Sequence, residues 1–271
     1  MKRKASEIVS RMATIAILAA LGFVLMAYAK FPYPLMPFLE IEISDTVVLV
    51  AYALYGFGGA LAVAIFKTLM NLLILGPVGF YGIGQITAFL ASLTYVLGLF
   101  LCSHIFKWFK RGLVWRIVSY LFITVLVSVV MTALNLLFIT PTFVVQTRFS
   151  TCFDPEAIQA VEGYFSKFGS TYFTMVSAVY LPFNLLKGAL VTAVYEIIFN
   201  RLIFVLMARS PKMQKYFLGP IILKKPKEIK EDQKAPEDKE RENLKTDEEK
   251  NEDGKGLLDK LAEDETEKKE K

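Results

Sequence analysis

Three polar residues stand in otherwise apolar runs where they can act together: Asn135, Asn184 and Lys187. In Leu181-Pro182-Phe183-Asn184-Leu185-Leu186-Lys187-Gly188, Asn184 and Lys187 are spaced to share one face of a helix, and Pro182 loosens the backbone one turn earlier. Asn135, in Ala133-Leu134-Asn135-Leu136-Leu137, stands near the end of another run. Carboxamides offer donors and acceptors, an ammonium offers donors only, and the surrounding Phe, Tyr, Leu and Pro supply apolar walls. That set suits reversible capture of a planar heteroaromatic solute with an imide-like edge. Free phosphate more often recruits Arg or a helix N-terminus, so the solute is expected to be uncharged or weakly anionic. Polar groups in hydrocarbon are costly and face either a cavity or a protein partner. For Asn135 the competing role is an interhelical hydrogen bond, and for Lys187 a structural ion pair.

Other residues frame this cluster. Lys67 and Asn71 share a helix face at i, i+4; both read first as structural, with Asn71 close enough to the outer mouth to touch the pocket. The segment from Lys30 to Glu40 is dense in proline and aromatics, and Phe38, Leu39 and Glu40 at its end are placed either to cover the pocket or to serve as a stiff interfacial connector. Ala16-x-x-x-Ala20, with Ala13, Ala19 and Gly22 nearby, gives one helix a face of small residues, for packing inside the bundle or for docking on a separate partner.

Catalytic signatures are missing from the sequence. There is no G-x-x-x-x-G-K-[ST] phosphate loop, so the chain is not expected to hydrolyse ATP itself. Gly76, Gly79, Gly82 and Gly84 join two helical runs as a turn and do not form a dinucleotide fingerprint. His104 has no ligand-spaced cysteine or carboxylate, so no metal is expected, and no bound cofactor either. No carboxylate pair or His cluster lies in the apolar runs, and Glu196 is expected to pair with a nearby base. Cys102 and Cys152 fall on opposite sides of the expected topology, which argues against a disulfide.

The elements that must position these residues are membrane spans. Of 271 residues, 54% are hydrophobic, and the mean hydropathy is +0.44. Apolar runs recur, each near or above the roughly 20 residues needed to cross a hydrocarbon core about 30 Å thick. A cleaved signal peptide would supply only one such run. Tyr55-Gly56-Phe57-Gly58-Gly59 predicts a break in the second run. The expected spans are approximately 10–29, 45–56, 58–75, 81–106, 114–140 and 171–208, an all-α bundle of six helices with an outward-facing pocket.

Charge orients the bundle. Lys2, Arg3, Lys4 and Arg11 precede the first span; Lys107, Lys110, Arg111 and Arg116 separate the fourth from the fifth; Arg201, Arg209, Lys212 and Lys215 follow the sixth. The remaining loops carry Glu40, Glu42, Asp45, Asp154, Glu156 and Glu162 against Lys30, Arg148 and Lys167. By the positive-inside rule both termini are cytoplasmic. Residues 1–220 hold 17 Lys/Arg against 8 Asp/Glu, and residues 221–271 hold 14 against 18. The basic excess therefore belongs to the membrane body and reads as orientation and lipid contact, not nucleic-acid binding. Residues 1–210 are taken as the membrane domain and 211–271 as a charged cytoplasmic tail too poor in apolar residues to order itself.

Together these features resemble the substrate-binding S component of energy-coupling factor vitamin transporters, and within that family the riboflavin-binding kind. The likeness covers about residues 10–207: six spans, Ala16-x-x-x-Ala20, the Phe31-Pro32-x-Pro34 loop running into Phe38-Leu39 and Ser44-Asp45, and Asn184-x-x-Lys187. The resemblance implies a bacterial cell-membrane protein that holds riboflavin near the outer face, with Asn135, Asn184 and Lys187 on the isoalloxazine edge and the first loop closing over it. It also implies that Ala16 and Ala20 contact a transmembrane coupling subunit, and that two cytoplasmic ATPases drive release inward. The chain departs from the family in carrying Thr46-Val47 after Ser-Asp, where Ile-Pro is common, and in its long fifth loop and charged tail. Carriers of thiamin, folate or biotin share the fold and remain alternatives, as does a stand-alone secondary transporter, for which paired broken helices would be expected.

Overall fold

The computed structural model describes residues 2–110 and 113–198. The expected tail and the last part of the sixth span, 199–208, lie outside the described residues. The chain forms helix α1 (Lys2–Tyr28), a two-stranded antiparallel hairpin of β1 (Lys30–Tyr33) and β2 (Met36–Glu42), and helices α2 (Asp45–Leu75), α3 (Ile83–Phe100), α4 (Leu113–Leu134), α5 (Thr140–Val145), α6 (Pro155–Phe165) and α7 (Tyr172–Ile198). One wide π turn, Leu101–Ile105, extends α3, and another, Asn135–Ile139, joins α4 to α5. Five of the described helical stretches are long and apolar enough to cross a membrane.

The second of these stretches is two arms. Gly56 has φ 70° and ψ −164° inside α2, a conformation that is almost exclusive to glycine. In a straight helix the 22 residues between Asp45 and Lys67 would span about 33 Å, yet Lys67 Nζ lies 2.7 Å from Asp45 Oδ1. The chain therefore folds back at Gly56. Arg11 Nη2, early in α1, donates to Tyr55 O at 3.3 Å, so the turn lies at that end of the bundle. The returning arm climbs beside α1, where a Cβ on Gly22 would meet Lys67 Cδ at 3.3 Å. With this reversal the five long stretches give the six expected segments.

The first outer loop, expected as a pocket cover or a stiff connector, is a β-hairpin. Lys30, Phe31 and Pro32 face Ile41 and its neighbours in register, with an irregularity at Pro32/Tyr33. Proline cannot donate into a ladder and is tolerated only at edges and bulges, and a two-stranded sheet consists of edges. Tyr33, Met36 and Ile41 of the hairpin share an apolar cluster with Val161 and Phe165 of α6 and Val176, Val179, Tyr180 and Phe183 of α7.

The long fifth loop carries a helix, α6. Asp154 caps α6 by accepting from Glu156 N and Ala157 N, and Pro155 takes the first helical position. The Arg148 guanidinium hydrogen-bonded to Asp154 holds that carboxyl below the usual carboxylate range. Hairpin and α6 thus pack together at the end of the bundle opposite Gly56. At the other end Glu196 pairs with Arg116 and accepts from Tyr120, the partner expected for it.

Candidate functional site

Asn71, Asn135, Asn184 and Lys187, drawn from three different spans, line one cavity of about 240 Å³ at the hairpin end of the bundle, together with Leu39 and Glu40 of β2. Phe38 belongs to β2, but its side chain lies outside the described residues. The loop residues expected as a lid are therefore in the wall of the cavity, not on a remote connector. Met26, Ala88, Tyr95, Phe143, Tyr180 and Phe183 are among the residues that give the wall its apolar and aromatic faces.

Each amide is held in a defined way. Asn135 opens the π turn and is engaged locally: Nδ2 donates to Met131 O at 2.8 Å, and Oδ1 accepts from Thr140 Oγ1 at 3.2 Å. Wide turns of this type recur at functional sites because they re-aim one side chain out of the helical pattern. Asn184 Nδ2 donates to Thr132 Oγ1 at 3.4 Å, which ties α7 to α4. Asn71 Oδ1 accepts from Gln85 Nε2 at 3.0 Å, and Gln85 also braces the glycine turn through Gly76 O at 2.9 Å and Val78 N at 3.0 Å. These bonds fix which end of the Asn71 amide is donor, and its NH2 group has no hydrogen bond among the described residues.

The two lysines differ. Lys67 is fully buried against Asp45 and donates to Ser44 Oγ at 2.8 Å; it is structural and lies outside the cavity wall. Lys187 reaches the cavity and donates to Glu42 Oε1 at 3.1 Å. Glu42, Gln85, Thr87 and Tyr95 are polar wall residues that the sequence pattern does not single out as site candidates. The Tyr95 hydroxyl, also in the wall, is buried without a hydrogen-bond partner among the described residues.

The small-residue face of α1 resolves into two. Ala19, Gly22, Phe23 and Ala27 are buried in the bundle, while Ala16 and Ala20 are exposed beside Met12, Ile17 and Val24. Expected packing and expected docking thus fall on adjacent stripes of one helix.

Comparison with known proteins places this geometry. A sequence model described as the substrate-specific component of ECF transporters matches residues 10–199. The chain belongs to that family. This S component is 29% identical over 199 residues to the riboflavin transporter FmnP of Bacillus subtilis (strain 168), covering 72% of this chain and 92% of the relative. It is 28% identical over 194 residues to the riboflavin transporter RibU of Staphylococcus aureus (strain TCH60), covering 71% and 89%. A solved S component of a bacterial ECF transporter aligns with a TM-score of 0.51 at 24% identity, over 73% of this chain and 97% of that one, which shows a common fold. The S component is accordingly a multi-pass helical membrane protein.

Proposed function

We propose that this S component captures riboflavin from outside the cell and passes it inward with partner subunits. The observation that carries this reading is the cavity itself. It sits at the end of the bundle opposite Arg11 and Arg116, its polar groups are amides, an ammonium and carboxylates, and its remaining lining is aromatic and aliphatic. Donors and acceptors set among apolar and aromatic side chains match a planar heteroaromatic ring with a polar edge. The two riboflavin-transporting relatives support that choice over other vitamins.

In this account Asn184, Lys187 and Asn135 bind the polar edge, Asn71 and Gln85 extend that polar wall, and β2 closes the mouth through Leu39 and Glu40. The Lys30–Glu40 pair, at 2.6 Å and about half exposed, adds a salt-screened contact between the strands. Both termini lie in the cytoplasm, with the arginine- and lysine-rich loops on that side. The exposed Ala16/Ala20 stripe docks a transmembrane coupling subunit closely, and two ATPases supply the energy that this chain's motifs do not.

The test is purification in detergent without added ligand, followed by an absorbance scan. A retained yellow flavin spectrum supports the proposal. A colourless protein that also fails to quench added riboflavin fluorescence ends the riboflavin assignment.

A further inference from the structure

The Lys187–Glu42 pair in the cavity wall has a second carboxylate behind it. Both members line the cavity, with side chains 12% and 10% exposed. Asp45 lies behind them, fully buried; its Oδ1 accepts from Lys67 at 2.7 Å and from Ser92 Oγ at 2.6 Å. Its Oδ2 has no hydrogen bond among the described residues and lies 3.7 Å from Lys187 Nζ. A normal N–H···O bond closes at about 3 Å, so a shift of well under 1 Å seats the ammonium on Asp45. Glu42 then has a free Oε1 facing the cavity, still oriented by Ser44 Oγ, which donates to Oε2 at 3.1 Å.

We propose that Glu42 is a ligand-binding residue: a donor on the ligand takes the Oε1 that Lys187 vacates, and Asp45 retains the ammonium as its positioning residue. The ammonium is thereby never left unpaired in a buried site, which would be strongly unfavourable. Side by side, Lys187 and Glu42 present a donor and an acceptor. That pattern is complementary to a carbonyl next to an N–H, the imide edge of a flavin. A carboxylate only accepts, so Glu42 selects for a hydrogen on that nitrogen more strictly than an amide, which can reverse its role. This inference rests on the riboflavin reading above.

The experiment titrates the purified full chain, wild type and Glu42→Gln, with riboflavin and with its N3-methyl derivative. A charge-assisted hydrogen bond corresponds to roughly a tenfold to hundredfold change in affinity. Glu42→Gln is expected to weaken riboflavin binding by that factor while leaving the N3-methyl derivative, which has no hydrogen to give, unchanged. Equal loss on both ligands, or no loss on riboflavin, overturns the assignment. Should Glu42→Gln not fold, the wild type decides: weaker binding of the N3-methyl derivative supports the assignment, and equal affinity for both ligands overturns it. Wild-type protein that binds neither ligand would instead sink the riboflavin reading itself.

Discussion

Asp45 and Lys67, at the start of one arm of α2 and within the other, meet at 2.7 Å with both side chains fully buried. Ser92 of α3 donates to the same Asp45 oxygen, so a single carboxylate joins three helical segments. Removing one member of such a pair strands a buried charge and costs about 3–5 kcal/mol, whereas removing both is far milder. Lys67→Met is therefore expected to lower the melting temperature in detergent sharply, and Lys67→Met combined with Asp45→Asn to recover much of the loss. Melting curves that show additive losses would contradict this.

Gly56 makes the reversal that brings those residues together. Its φ of 70° with ψ −164° is open to glycine and strained for any residue with a Cβ. No atom lies within 4 Å of a Cβ placed there, so the penalty is conformational rather than steric. Gly56→Ala is expected to destabilise by about 1–3 kcal/mol, read as a lower melting temperature with ligand affinity little changed at saturation of folding.

The two wall asparagines should separate in their effects. Asn135 spends both ends of its amide on Met131 and Thr140, whereas Asn184 has one long bond to Thr132 and an unused carbonyl oxygen among the described residues. Asn184→Ala is expected to cost more ligand affinity, on the order of tenfold for a hydrogen bond lost to the ligand. Asn135→Ala is expected to cost more stability. Binding titrations and melting curves on the same two preparations check the ordering.

Bulk on the exposed stripe of α1 should uncouple binding from uptake. Ala16 and Ala20 touch neither the cavity wall nor the buried face of α1. Ala16→Leu with Ala20→Leu is expected to leave ligand affinity of the purified chain unchanged and to abolish uptake by cells that carry the coupling subunits. Normal uptake would remove the docking role.

The parts of this molecule legible in its sequence are those where hydrocarbon makes polarity expensive. Asn135, Asn184 and Lys187 stood out because each breaks an apolar run, and all three reach one cavity. The fold-back at Gly56 was legible because Tyr-Gly-Phe-Gly-Gly interrupts a span too long for one crossing. The hairpin was not, because Pro32, Pro34 and Pro37 argue against strands unless both strands are edges. Nor was α6, whose only start signal is the short Asp154-Pro155-Glu156 cap inside a long polar loop. In the sequence Glu42 and Asp45 look like outer-loop charge. The signal that identifies them is electrical: Lys67 and Lys187 lie deep in apolar spans and require carboxylates, and Glu42 and Asp45 lie next to the hairpin that leads back into the bundle. Gln85 was hidden beside the glycines of a turn, where polarity carries little information.

Titration of riboflavin fluorescence with wild-type protein and with Lys187→Ala tests the central claim most directly. The account predicts stoichiometric quenching by the wild type and at least tenfold weaker binding by a variant that expresses and melts normally. Equal quenching by both proteins would return Lys187 to a purely structural partner of Glu42 and contradict the account.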